Sequence, residues 1–196
     1  MKLYKFLRLV DGQIKSDHGN CVWKIGEWKK ENKAEACNSG FHCSAEPLDA
    51  LYYVNGEVLA EVEVNGKSDI KYDKQAWSEM RIVKAYEWNK RDSVELDVFS
   101  AELVVKIYVD WAEKNKVDSK PITDDIEAAK KWIKDHRKNK DAAADAAADA
   151  AADAANAAAY AATYGARAAT YGARAATIKK INAYMKKQIK TLKLIK

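Results

Sequence analysis

The stretch from Asp141 to Thr177 reads DAAADAAADAAADAANAAAYAATYGARAATYGARAAT and holds 22 alanines in 37 residues. Alanine gives up no side-chain entropy when it enters a helix, so helix is the expected state. Such a helix would run roughly 55 Å at about 1.5 Å per residue, too long to be enclosed by a chain of 196 residues. The chain must therefore combine a globular part, with its core residues before Asp141, and a helical appendage. Asp141, Asp145, Asp149 and Asp153 recur every four residues, a row that winds slowly around a helix. Beyond them Asn156, Tyr160, Thr163, Arg167, Thr170, Arg174 and Thr177 alternate steps of three and four, which averages roughly 3.5 residues and holds register along a left-handed supercoil. The first half predicts a solvated stalk. The second predicts a contact surface bearing Tyr160, Tyr164, Arg167, Tyr171 and Arg174, on a partner or on a second copy of the chain.

The net charge of +5 is concentrated at the end, where residues 178–196 hold seven lysines and no carboxylate. Ile178, Ile181, Met185, Ile189 and Leu192 share a helical face there. Lys179, Lys180, Lys186, Lys187 and Lys190 cover the rest, a candidate contact for nucleic acid or an acidic protein surface. No strongly apolar run is long enough to span a bilayer, and the N-terminus lacks the features of a cleaved leader. Three cysteines and many lysines fit a reducing compartment. The expectation is a cytoplasmic protein with no membrane partner.

Before the alanine segment the pattern is that of an α+β domain over 1–118, followed by a helical arm over 119–196. KLYKFLRLV alternates and ends on Asp11-Gly12, a strand entering a hairpin turn that CVWKIGEW continues. Ser44 is placed to cap a short helix with Pro47 in its first turn, closed by Asn55-Gly56. EVLAEVEVNG puts Val58, Ala60, Val62 and Val64 on one strand face, with Glu57, Leu59, Glu61 and Glu63 opposite as a solvent-facing edge, and stops at Asn65-Gly66. EMRIVKAYEW adds a strand with Met80, Ile82 and Tyr86 inward. The sheet is expected to be small and mostly antiparallel. From Ser93, an expected N-cap, a helix over 93–116 places Leu96, Phe99, Leu103, Ile107 and Trp111 on one side to pack on the sheet. Thr123 is expected to cap the next helix, with Ile126, Ala129, Trp132 and Ile133 as its stripe.

Few constellations suggest chemistry. His18 and Cys21 have half of a zinc spacing that Cys37 with His42 or Cys43 would complete. Free cysteines packed as small hydrophobes explain the same residues, and no metal or other cofactor is expected. Phosphate-cradling loops, nucleophile elbows and HExxH helices are missing from the sequence.

GNCVWKIGEW, CNSGFHCSAEPLDALYYVNGEVLAEVEVNG and SEMRIVKAYEW resemble an uncharacterised domain of bacteriophage and prophage proteins, over about Leu3 to Val105. That domain carries a Cys, then Gly-Phe-His, a Pro-Leu-Asp helix and a Val-Glu-x-x-Gly strand. The resemblance implies a phage-like setting, repetitive tails and no established activity. GFHCS with DALYY is also similar to the second-strand region of ADP-ribosyltransferases, which implies His42 and Tyr53 at a nicotinamide pocket and Glu61 or Glu63 on the ribose. Arg8 would then be the first-strand residue. The leading expectation is a non-enzymatic interaction protein that binds a host protein or protein–nucleic-acid complex, in the manner of an inhibitor of a bacterial defence complex (anti-CRISPR-like). An NAD-dependent transferase and a nucleic-acid-binding tail are the alternatives.

Overall fold

The computed structural model describes residues 2–19, 21–116, 118–135 and 171–196, and the expectations for 136–170, with Tyr160, Tyr164 and Arg167, lie outside them. The chain is α+β, with an antiparallel curled sheet first and helices after it. It divides into two compact units, one of residues 1–88 with 185–196 and the other of 89–184. The helix expected to belong with the sheet thus falls in the second unit, and the end of the expected arm falls in the first. Among the described residues, no helix is long and apolar enough to cross a membrane.

In the first unit β1 (Leu3–Val10) turns through Asp11 and Gly12, both at positive φ, into β2 (Gln13–Lys15). This is the two-residue hairpin that Asp-Gly favours. β3 (Val22–Trp23) pairs with β2, β4 (Lys29–Lys30) with a later strand, and β5 (Phe41–Cys43) precedes α1 (Pro47–Tyr53). The long pair β6 (Val58–Ile70) and β7 (Gln75–Glu87) completes a path β3-β2-β1-β6-β7-β4, with β5 also on β7. Ser44 does not cap α1. It exchanges backbone hydrogen bonds with Tyr4 at 2.8 and 2.9 Å, extending β5 along β1, and the N-cap is Glu46 without a side-chain bond.

β6 corrects two expectations. It runs through Asn65-Gly66 to Ile70, because Gly66 (φ +79°) lies at a register shift in the ladder to β7, and the chain turns only at Lys71–Lys74. It is also a central strand between β1 and β7, so its second face is not a solvent edge: Leu59 and Glu61 are buried. Val58, Ala60 and Val62 join Leu3, Leu7 and Ile82 in one apolar cluster, as the alternation predicted. A second register shift, at Glu61/Val62, changes the parity of β7, so Ala85 rather than Tyr86 follows Met80 and Ile82 into that cluster. On the opposite face Phe6 meets Trp88 edge-on at 5.4 Å.

The end of the chain returns to this unit. A short β8 (Leu194–Ile195) pairs with β7, Lys186 bonds Glu46 at 2.6 Å and Lys193 bonds Glu87 at 2.7 Å. Met185 and Ile189 are buried. Helix therefore does not continue through Leu192: it gives way to a 3-10 turn at Ile189–Thr191.

In the second unit α2 (Lys90–Asn115) starts earlier than Ser93, on Asn89, whose side chain accepts from Asp92 N while Asp92 accepts from Asn89 N in a capping box. Val94 and Val98 pack with Ala129 of α3 (Lys120–Asp135), and Ala101 with Ile126. Thr123 is already inside α3, whose first N–H donates to Asp118 Oδ1 at 2.9 Å. α4 (Tyr171–Gln188) begins in this unit, where Tyr184 stacks on Phe99 at 4.1 Å.

Candidate functional site

The sheet leaves a gap along one side of β1. On that side β1 pairs with β2 only from Arg8 to Val10 and with Ser44 only at Tyr4, so among the described residues no strand lies beside Lys5, Phe6 and Leu7 there. Tyr4 exchanges both its backbone bonds with Ser44, so strand alternation turns the N–H and C=O of Phe6 toward the same gap. A cleft of about 570 Å³ opens here, bordered by residues 16–19 with Cys21, loop 37–40, β5 and the end of α1.

Both loops are held by local bonds. Ser16 N donates to Cys21 O at 2.9 Å, and Trp23 Nε1 to Ser16 Oγ at 2.9 Å. In the other loop Cys37 takes a positive φ and its N–H donates to His42 Nε2 at 3.0 Å. Gly40 is required where it stands, since a Cβ would come within 2.9 Å of the Lys33 and Trp77 carbonyl oxygens. His42 is thus an acceptor whose ring orients a loop. Burial, and then the charge of Lys5, pull its pKa down, which keeps the imidazole neutral.

Lys5 is the unusual residue. Alternation places it on the same face as Leu3 and Leu7, opposite Ala60, within the apolar side of the sheet. Its Nζ donates to His42 O at 2.9 Å. Burial lowers its pKa, and the ionisable groups acting on it are the Cys43 and Cys21 thiols rather than any carboxylate. Burial in turn pushes the Cys43 thiol up to about 12 and raises Cys21, so both are protonated and neutral. At the rim Lys74 Nζ stands 4.4 Å from the Tyr53 ring, and the Tyr53 hydroxyl donates to Asp73.

The structure gathers part of each expected constellation. His18, Cys21, Cys37, His42 and Cys43 all line the cleft, yet among the described residues no group of three His, Cys, Asp or Glu side chains is arranged to hold a metal ion. His42 and Tyr53, the residues of the transferase resemblance, both line the cleft. Glu61 does not join them: it faces the other side of the sheet, where Lys2 Nζ donates to it at 3.0 Å and the Tyr86 hydroxyl at 3.4 Å. Glu63 is paired with Arg81 at 2.5 Å, and Arg8 contacts Glu57 at 3.3 Å and Asp17 at 3.7 Å. In the tail Lys179, Lys180, Lys187 and Lys190 are exposed, whereas Lys186 is spent on Glu46. Tyr171 and Arg174 lie on α4.

Sequence reading missed Lys5. The available signal was a single lysine flanked by Leu3, Tyr4, Phe6 and Leu7, where whichever face turns inward the lysine has apolar neighbours on its own strand. No curated protein and no solved structure shows significant similarity to this chain. Residues 2–91, which carry the whole sheet path and every residue of the cleft, match the family described as Domain of unknown function (DUF7666).

Proposed function

We propose that this chain is a non-enzymatic interaction protein whose N-terminal unit receives an extended segment of a host protein in the cleft beside β1. The observation that carries the reading is the gap between β2 and Ser44, where the Phe6 backbone presents a donor and an acceptor to an open cleft. An incoming strand would gain main-chain hydrogen bonds there, with the cleft walls selecting its side chains. The polar groups around the cleft support binding over catalysis, because His42 is occupied as a loop acceptor and Asp17 by Arg8 and His18. The phage-like resemblance makes a subunit of a bacterial defence complex the class of partner to test first.

The test compares three full-length proteins for retention of a host-cell component: wild type, Asn38→Trp at the cleft wall, and Lys179→Glu with Lys180→Glu on the tail. Retention lost only in Asn38→Trp supports the cleft. Retention lost only in the tail variant, with binding that weakens steeply as salt rises, overturns it in favour of nucleic acid at the basic end.

A second reading, an NAD-dependent ADP-ribosyltransferase, is favoured by the presence of His42 and Tyr53 in the lining of one cleft. It needs a carboxylate for the ribose, and Glu61 is turned to the other sheet face. Label passing from NAD to a host protein, and its loss in His42→Ala, would establish this reading in place of the first.

A further inference from the structure

We propose that Lys5 is a covalent capture site, an amine nucleophile that forms a reversible imine with a small aldehyde or ketone entering the cleft. Nothing in this proposal requires a macromolecular partner. It rests on where the amine is placed and on what surrounds it.

Lys5 lines a cleft of about 570 Å³, a size that suits small-molecule ligands, so its amine can be reached from solvent by a compact reagent. Ala60 opposite it takes little room, and Leu3 and Leu7 flank it on the same face, so its carbon stem lies on apolar surface. An ammonium in such a setting ordinarily has a carboxylate partner. Here the titratable groups that interact with it are two thiols, both kept protonated by burial, and the His42 imidazole, whose pKa is lowered. The His42 carbonyl accepts one N–H at 2.9 Å. A neutral amine that donates one hydrogen there holds its lone pair in a different direction, available for attack. Burial lowers the Lys5 pKa, which raises the share of neutral amine at neutral pH.

The step is balanced without an oxidant or reductant. The Nζ lone pair adds to the carbonyl carbon while the C=O π pair moves to oxygen, and a proton passes from nitrogen to oxygen to give a carbinolamine. Loss of water then forms the C=N bond, and hydrolysis reverses it. The Cys21 and Cys43 thiols, both raised in pKa, are poor competitors for the same carbonyl carbon.

The experiment treats the native full-length chain with salicylaldehyde at neutral pH, reduces imines with cyanoborohydride at timed intervals and maps the adducts by peptide mass. Adduct at Lys5 should accumulate faster than at the exposed Lys179 and Lys180, as expected for an amine whose pKa burial lowers. In Lys5→Met that fast adduct should vanish while the slow ones persist. A Lys5 rate in the wild-type chain equal to or below that of Lys179 and Lys180 overturns the proposal, as does a Lys5 adduct that forms only in urea. The wild-type rates decide the matter by themselves, whatever the stability of the variant.

Discussion

Gly56→Ala is the substitution from which the geometry demands most. Gly56 sits two residues ahead of β6, against β1, and a Cβ built on it would lie 2.2 Å from Leu7 O, 2.7 Å from Leu7 C and 3.2 Å from Leu7 N. Its φ is not in the left-handed region, so alanine loses nothing in backbone conformation and the whole cost is steric. Relief needs a displacement of about 1 Å between two backbones, and neither is free to give: Leu7 is fully buried, and its register partner on β6 is Val58. Overpacking of this kind costs about 1–3 kcal/mol. Loss of one ladder hydrogen bond adds about 1 kcal/mol, so roughly 3 kcal/mol is expected in total. Urea unfolding followed by tryptophan fluorescence would show the midpoint falling at unchanged slope. The contrast is Gly12→Ala, at φ +73° with nothing within 4 Å of its Cβ, which should cost only about 1–2 kcal/mol for the left-handed backbone. A Gly56→Ala protein within about 0.5 kcal/mol of wild type would refute the close approach of β6 and β1. Because β1 also carries Lys5, the same variant should slow the aldehyde labelling.

Two further outcomes test other parts of the structure. Burial pushes the Asp97 carboxyl up to about 6, above its value in the unfolded chain, so the folded state holds the extra proton between roughly pH 4 and 6 and loses stability as the pH climbs through that window. Asp97→Asn should therefore be more stable than wild type at pH 7, by about 2–3 kcal/mol, and no more stable below about pH 4; equal urea midpoints at pH 7 would refute the buried carboxyl. Met185→Ala, at a fully buried position, should lose about 2–5 kcal/mol in thermal or urea unfolding, and Ile178→Ala, at 39% exposure on the same helix, less than about 1 kcal/mol; similar losses would refute the return of the chain end to the sheet unit.

The elements that were legible in the sequence are those whose signal is local. Asp11-Gly12 makes the turn it encodes, and the Val58–Val62 alternation finds its core face, because in both cases neighbouring residues carry the constraint. Asn65-Gly66 carries an equally strong turn signal and does not turn. Pairing with β7 continues on both sides of it, and Gly66 absorbs the extra residue as a bulge, so a non-local ladder overrides the local preference. The α2 start was misplaced for a different reason: Asn89 and Asp92 form the cap pattern, yet Ser93 offers an equally plausible cap one turn later. Neither mistake is visible without knowing where the strand ends.

The site was less legible than the fold, and the reason lies in how strands divide their residues. Read as a half-buried strand, KLYKFLRLV has one wet face, and period two puts Lys5 on the other, with Leu3, Leu7 and Leu9, where a lysine breaks the apolar pattern. β1 has two buried faces instead: Leu3 and Leu7 join the apolar cluster of one, while Tyr4 and Phe6 are buried on the other. On the second face Trp88, far along the chain, packs edge-on against Phe6. A lysine in a doubly buried strand cannot escape by a change of face, only by an opening at the strand edge. The break in pairing between Arg8 and Tyr4 supplies that opening beside Lys5. The cleft and the half-buried lysine are therefore two consequences of one topological fact, the incomplete cover of β1. A change that extended β5 or β2 across the gap would remove both together.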